Sequence, residues 1–218
     1  MCAQFLLRAR VKDLYAAFPS GFPCEEFPEE FDLRVLPRGR APIFYATGDR
    51  EGWGLKEFSL VPGWSKDRHP KFATHNARIE SVLEKPTWKK PFLQRHCVIP
   101  LTEFIEPIYQ GVWAGAMVAF GHGKVIFAAG IHDSWMNVQT GEVVESFAIL
   151  TTRPSAQIQE IGHDRSPIFL SGAAAFEWVR LKDLPGAEQI RYLEDHEETL
   201  SFEVREDRRM RAGWEKRQ

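Results

Sequence analysis

Cysteine is scarce in this chain of 218 residues. Cys2, Cys24 and Cys97 are the only three, an odd number at unrelated spacings with no CxxC pair. That excludes a disulfide framework and a thiolate zinc site, so reduced thiols are expected. No stretch approaches the roughly 20 apolar residues that span a bilayer, and Arg8, Arg10 and Lys12 break the N-terminal apolar patch before it could serve as a signal peptide. A cytosolic (cytoplasmic) protein with no membrane partner is expected. Excess charge is also lacking: the formal net charge is −2, which argues against nonspecific coating of nucleic acid but leaves room for a local basic groove. The histidines at 69, 75, 96, 122, 132, 163 and 196 show no ligand spacing, and there is no HExxH and no Ser-His-Asp order. Neither a metal nor a cofactor is therefore expected.

What is present is a globular composition, 44% hydrophobic and 27% charged. Met1 to Leu7 reads as a short strand, Val11 to Phe18 as a short helix that Pro19 ends, and Ala41 to Thr47 as another strand. Residues 19 to 40 are rich in Pro and Glu and read as an exposed loop. From Cys97 to Thr152 short apolar runs at 97–101, 114–120, 124–131 and 146–151 are punctuated by Gly121, Gly123 and Gly141 at hairpin-like intervals. Helices are expected at 155–161, 173–181 and 186–193. With no internal repeat and no Gly/Ser linker, the reading is an α+β fold: a β-rich single domain with a curved, largely antiparallel, barrel-like sheet and flanking short helices. It occupies residues 1–200, and a charged, partly frayed C-terminal tail covers 201–218.

Several residues suggest chemistry, each with a plainer alternative. Removal of Met1 would leave Cys2 with its amine and thiol on adjacent carbons, a 1,2-aminothiol. An α-amine titrates near 7.7 to 8.0 against about 10.4 for lysine, so roughly a tenth of it is neutral and nucleophilic at pH 7. With an aldehyde it forms an imine that the thiolate closes to a thiazolidine. The alternative is a small buried strand residue. Asn76 and Arg78 precede the apolar Ile79, either as site residues or as a turn residue and a surface cation. Glu106 follows Phe104-Ile105 at a strand end, where desolvation favours the neutral acid unless the terminus is solvated. His163 sits in a polar turn, Gly162 to Pro167, either as an acid/base or as a structural, hydrogen-bonded histidine. Lys85, Lys89, Lys90 and Arg95 surround Trp88 and Phe92. This segment either tracks phosphates and stacks on a base or is a solvated helix face with a buried aromatic pair.

Taken in order, Met1-Cys2, the block from Leu60 to Asp67 containing Trp64, Asn76-Ala77-Arg78-Ile79-Glu80, Arg95 to Pro100 leading to Phe104-Ile105-Glu106, Phe147 to Thr152, and His163-Asp164-Arg165-Ser166-Pro167 resemble the SOS-response-associated peptidase (SRAP) family. The resemblance implies a β-rich α+β domain with a positively charged groove for single-stranded DNA. It implies a mature N-terminal cysteine that forms a thiazolidine with the ring-opened abasic sugar, with accompanying AP-lyase and self-processing cysteine autopeptidase activity. Carried over, Cys2 would be the nucleophile, Asn76 would orient the N-terminus and the adduct, and Glu106 and His163 would be acid/base groups. Arg78 would hold a phosphate and Trp64 would flank the groove. Ala3 and Gln4 stand where the family has Gly-Arg, so Gln4 occupies the place of a phosphate-contacting arginine; Thr102 and Glu103 depart similarly before Phe104. A monomer that meets abasic sites in single-stranded DNA is thus expected. The rival reading keeps the fold but makes it a noncovalent nucleic-acid or protein binding module using Lys89 and Lys90.

Overall fold

The computed structural model describes residues 3–21 and 27–217, so Cys2 and Cys24 lie outside the described residues. Its strands are β1 (Gln4–Arg10), β2 (Glu30–Val35), β3 (Arg40–Thr47), β4 (Arg50–Phe58), β5 (Asn76–Arg78), β6 (His96–Ile108), β7 (Ala116–Met136), β8 (Val143–Thr152), β9 (Ser166–Pro167), β10 (Phe169–Leu170) and β11 (Glu203–Arg209). The helices are α1 (Val11–Ala17), α2 (Pro86–Gln94), α3 (Ala156–Ile161), α4 (Gly172–Trp178) and α5 (Gly186–His196), and 3-10 turns cover Ile79–Ser81 after β5, Leu181–Asp183 and Trp214–Arg217. Among the described residues no helix is long and apolar enough to cross a membrane.

The sheet runs β10-β7-β8-β4-β3-β6-β1-β2, and a further pairing of β6 with β7 closes β7, β8, β4, β3 and β6 into a ring. Closure leaves these strands no open edge to protect. Pairing is antiparallel except where β8 meets β4 and β5. The expected α+β class, with a curved and largely antiparallel sheet and short helices around it, is the fold observed. One core cluster packs α1, α2, α4 and α5, through residues such as Leu14, Phe92, Trp178 and Leu193, against the sheet. A second is built almost wholly from strand residues, among them Phe5, Ile43, Phe58, Ile99, Phe104, Phe120 and Phe147.

Three expectations are corrected. The runs at 114–120 and 124–131 are not two arms of a hairpin but one strand, β7, because both are antiparallel to the same strand: Ala116–Gly121 pairs with Ile108–Glu103, and Ile126–Ile131 with Leu101–His96. Residues 122–125 bulge out opposite Thr102, so the glycines bend the strand without reversing it. The Pro/Glu-rich 19–40 segment contains β2, which its polar composition conceals; it pairs with β1 from Phe5↔Val35 to Arg10↔Glu30 and buries Phe31 and Val35. Residues 203–209 are not frayed. They form β11 on the edge of β7, from Glu203↔Gly121 to Arg209↔Ala116, anchored by the buried Phe202 among Phe104, Phe120 and Phe169.

Gly130 lies in the second half of β7, between Cys97 of β6 and Ile149 of β8. A Cβ there would run into Ile99 Cδ1 and sit 2.8 Å from the carbonyl oxygen of Ala148, which belongs to the backbone and cannot swing away. Gly130→Ala is expected to destabilise the fold by about 1–3 kcal/mol through overpacking. Urea unfolding checks this as a lowered midpoint at unchanged slope.

Candidate active site

Glu106 is carried by β6 where that strand runs between β1 and β7, one residue after the Ile105↔Gln4 pair and opposite Val118. Its side chain is fully buried, at 0% exposure. Ala3 donates its N–H to the carbonyl oxygen of the preceding residue, Ile105, at 3.2 Å. The sequence expectation of a carboxyl among apolar neighbours is met by position, although Glu106 lies within a 13-residue strand that continues to Ile108.

His163 arrives from a different direction. Helix α3 stops at Gly162, whose φ of 100° is open to glycine, and a Cβ there would come 2.6 Å from Gln110 O. The turn places His163 at 8% exposure, with Nδ1 2.9 Å from Arg165 O and Nε2 3.5 Å from Glu106 Oε2. The Arg165 backbone N–H also lies 3.3 Å from Nδ1, so the backbone of Arg165 holds that edge of the ring and Nε2 faces the carboxyl. Two groups that can exchange a proton are what acid/base catalysis of a carbonyl addition requires.

Arg165 holds this corner in place. Its guanidinium forms a bidentate pair with Glu80, Nη1–Oε1 at 2.6 Å and Nη2–Oε2 at 2.9 Å, and Nη2 also donates to Thr151 O at 2.6 Å. Hydrogen bonding from Arg165 holds the Glu80 carboxyl below its ordinary range. The Thr151 hydroxyl donates to Ala77 O at 3.4 Å, and β5 pairs with β8 from Asn76↔Ile149 to Arg78↔Thr151. The buried Asn76 is thus fixed to the same strand end as Arg165. Burial lowers the pKa of its neighbour His75, whose ring meets Phe58 edge-on.

The remaining sequence candidates are scattered around this centre. Arg78 is exposed at the end of β5. Trp64 is 60% exposed, and its Nε1–H donates to Pro86 O at 3.3 Å, tying its loop to the start of α2. Lys89 and Lys90 are exposed on α2, while Trp88 and Phe92 are buried, so neither of these two rings is open to stack on a base. Gln4 is not on the surface: it is buried, and its Oε1 accepts from Arg34 Nη1 at 3.1 Å. A cavity of about 510 Å³ opens beside His163, lined by Gln110, Arg153, Gln159 and Asp164. Arg165 and Glu80 belong to the motifs read in the sequence but carried no assigned role there; their opposite charges were the only signal. Among the described residues no group of three or more His, Cys, Asp or Glu is arranged to hold a metal ion.

A sequence model of the SOS response associated peptidase (SRAP) family matches residues 1–207. The chain belongs to that family. It is 27% identical over 185 residues to abasic site processing protein YoqW of Bacillus subtilis (strain 168), which covers 84% of this chain and 82% of YoqW. Abasic site processing protein YoaM of the same organism is 27% identical over 195 residues, covering 84% of this chain and 81% of its own length. Abasic site processing protein HMCES of Gallus gallus is 27% identical over 167 residues, 65% of this chain and 47% of that protein. A crystal structure of a protein from Bacteroides thetaiotaomicron has the same fold, with a TM-score of 0.75 at 21% identity over 95% of this chain and 92% of the other. This SRAP chain therefore has the family's sequence pattern and shares its fold with that crystal structure.

The Arg165–Glu80 pair makes a testable contribution to stability. Because the folded pKa of Glu80 is depressed, the contribution is complete above the carboxylate's unfolded value near 4.3 and is lost as pH falls through the lower folded value. The gap in melting temperature between wild type and Glu80→Gln is expected to narrow between about pH 6 and pH 3. Thermal melts at stepped pH measure it.

Proposed function

We propose that this SRAP protein captures abasic sites in single-stranded DNA by forming a thiazolidine between the ring-opened sugar and the mature N-terminal Cys2. The observation that carries the reading is the buried Glu106–His163 pair, set one residue beyond the backbone group that anchors Ala3, the residue following Cys2 in sequence. The names of the relatives, abasic site processing proteins, support the substrate. Self-processing comes first: hydrolysis of the Met1–Cys2 bond frees the α-amine. The neutral amine adds to the C1′ aldehyde, and Glu106 or His163 protonates the carbinolamine hydroxyl so that water leaves and an imine forms. The Cys2 sulfur then adds to the imine carbon, its proton passing to the nitrogen, and the ring closes. In the open imine the neighbouring C2′ is acidified; a base there, assigned to His163, takes its proton as the 3′ phosphate departs, which is the lyase step. Asn76 orients the N-terminus and the adduct.

The exposed Arg78, Trp64, Lys89 and Lys90 supply the DNA contacts, cations for phosphates and an indole for a base. Gln4, buried against Arg34, acts on the DNA only through its neighbours. Each single-strand phosphate contact contributes about −0.7 to the slope of log affinity against log salt, so Arg78→Ala is expected to flatten that slope by about this amount. A cytoplasmic monomer suits this role.

An oligonucleotide containing one abasic site tests the chemistry. Wild type is expected to give a complex that survives denaturation, and intact mass to show loss of Met1. Cys2→Ala is expected to abolish the complex while the protein remains folded. Glu106→Gln should slow adduct formation and His163→Ala chiefly strand cleavage, each by about 10²- to 10⁴-fold in the step served. Active protein that retains Met1 would overturn the aminothiol mechanism, because a blocked amine cannot enter the ring.

A further inference from the structure

Strands β11, β7, β6, β1 and β2 are consecutive neighbours, so β2 and β11 are four spacings apart. In a flat sheet four spacings of about 4.8 Å would separate them by about 19 Å. Yet Arg34 of β2 grips Asp207 of β11 in a bidentate pair, Nη2–Oδ1 at 2.5 Å and Nη1–Oδ2 at 3.1 Å. The sheet therefore curls until its two edges meet, and the small apolar patch of Leu6, Ile105, Met117 and Ala119 packs with Ala3 and Met210. Asp207 is the residue skipped at the bulge of β11, between the Glu206↔Val118 and Arg208↔Met117 pairs, and its carboxylate is 6% exposed. The bulge frees its side chain from the strand's alternation and turns it toward Arg34. Arg34 holds that carboxyl below its usual range. The same Nη1 that binds Asp207 also donates to Gln4 Oε1 at 3.1 Å. One guanidinium thus joins the C-terminal strand to the second residue after Cys2.

We infer that the Arg34–Asp207 clasp positions the N-terminal segment for reaction at Cys2, making the C-terminal strand part of the catalytic unit. Arg34 and Asp207 are positioning residues that act through Gln4 and the backbone of Ala3. A guanidinium held by two carboxylate oxygens has little rotational freedom, so its third bond fixes Gln4 in direction as well as distance. Loss of the clasp leaves β1 paired but releases its first residues, and a small misplacement of a nucleophile is enough to slow a reaction without weakening substrate binding.

The inference rests on the thiazolidine reading above, and the experiment separates the two. Asp207→Asn, Asp207→Glu and Arg34→Lys are compared with wild type in three measurements. These are the crosslinking rate at saturating abasic oligonucleotide, the affinity for the same oligonucleotide carrying an unreactive tetrahydrofuran, and the rate of condensation with formaldehyde followed by intact mass. Asp207→Asn is expected to lower both rates about tenfold or more with tetrahydrofuran affinity unchanged, and Asp207→Glu to restore most of the loss. Arg34→Lys keeps a cation opposite Asp207 but cannot reach both partners; it is expected to melt near wild type and still react slowly, which decides the matter if Asp207→Asn fails to fold. Wild-type rates in folded Asp207→Asn or Arg34→Lys would overturn the inference. Wild type that condenses with formaldehyde but not with abasic DNA would overturn the substrate reading, while the formaldehyde rates would still rank the variants.

Discussion

Strand β7 is 21 residues long and has partners on both edges. Along one it is paired by β6; along the other by β11, then β10, then β8. Buried N–H and C=O groups left without partners would cost far more than a strand of this length gains by packing, so the pairing on both sides is obligatory. Its partners β8 and β6 are themselves joined through β4 and β3, so the sheet closes, and closure fixes the placement of β6. Glu106 is inside because β6 lies between β1 and β7, not because a carboxylate favours burial. Almost everything at the candidate site follows from that one strand finding two sets of partners.

Burial of charge is the second constraint. Arg165 is buried and Glu106 fully so, and groups of this kind persist in an interior only when opposed or hydrogen-bonded. Arg165 meets Glu80 from the turn after β5, and Glu106 faces His163 from the turn after α3. Each pair joins segments far apart in sequence, so each ties the site together. Cys97, by contrast, is wrapped in apolar side chains, and burial pushes its thiol up, away from the reactive thiolate. The chemistry proposed for cysteine belongs to Cys2 for the opposite reason: its amine needs no help from burial to be partly neutral.

Much of the fold was legible. The apolar runs at β1, β3 and β8 and the proline that ends α1 are local signals, and local sterics decide them. The family pattern was legible too, because it is carried by short blocks whose order survives divergence. Where reading failed, the deciding partner was remote. Nothing local distinguishes a glycine that turns a hairpin from Gly121, just before a bulge in a continuous strand, and Gly123, within it; the difference is that one strand, β6, pairs with both halves. Strand β2 and strand β11 are polar enough to pass for loop and tail, and become strands because β1 and β7 offer unpaired edges.

The sequence by itself determined which residues are proposed for the site, a cysteine after Met1, Asn76, Glu106 and His163 in a recognisable order, and an apolar pattern that reads as a curved sheet. Those are properties of residue type and spacing, which chemistry and local periodicity read directly. Only the tertiary structure decided that Glu106 faces His163, that Arg165 is pinned by Glu80, that Trp88 and Phe92 are core while Lys89 and Lys90 are surface, and that Asp207 reaches Arg34 and through it Gln4. These depend on contacts between residues many positions apart, set by how the closed sheet curls, and no local signal encodes that curvature.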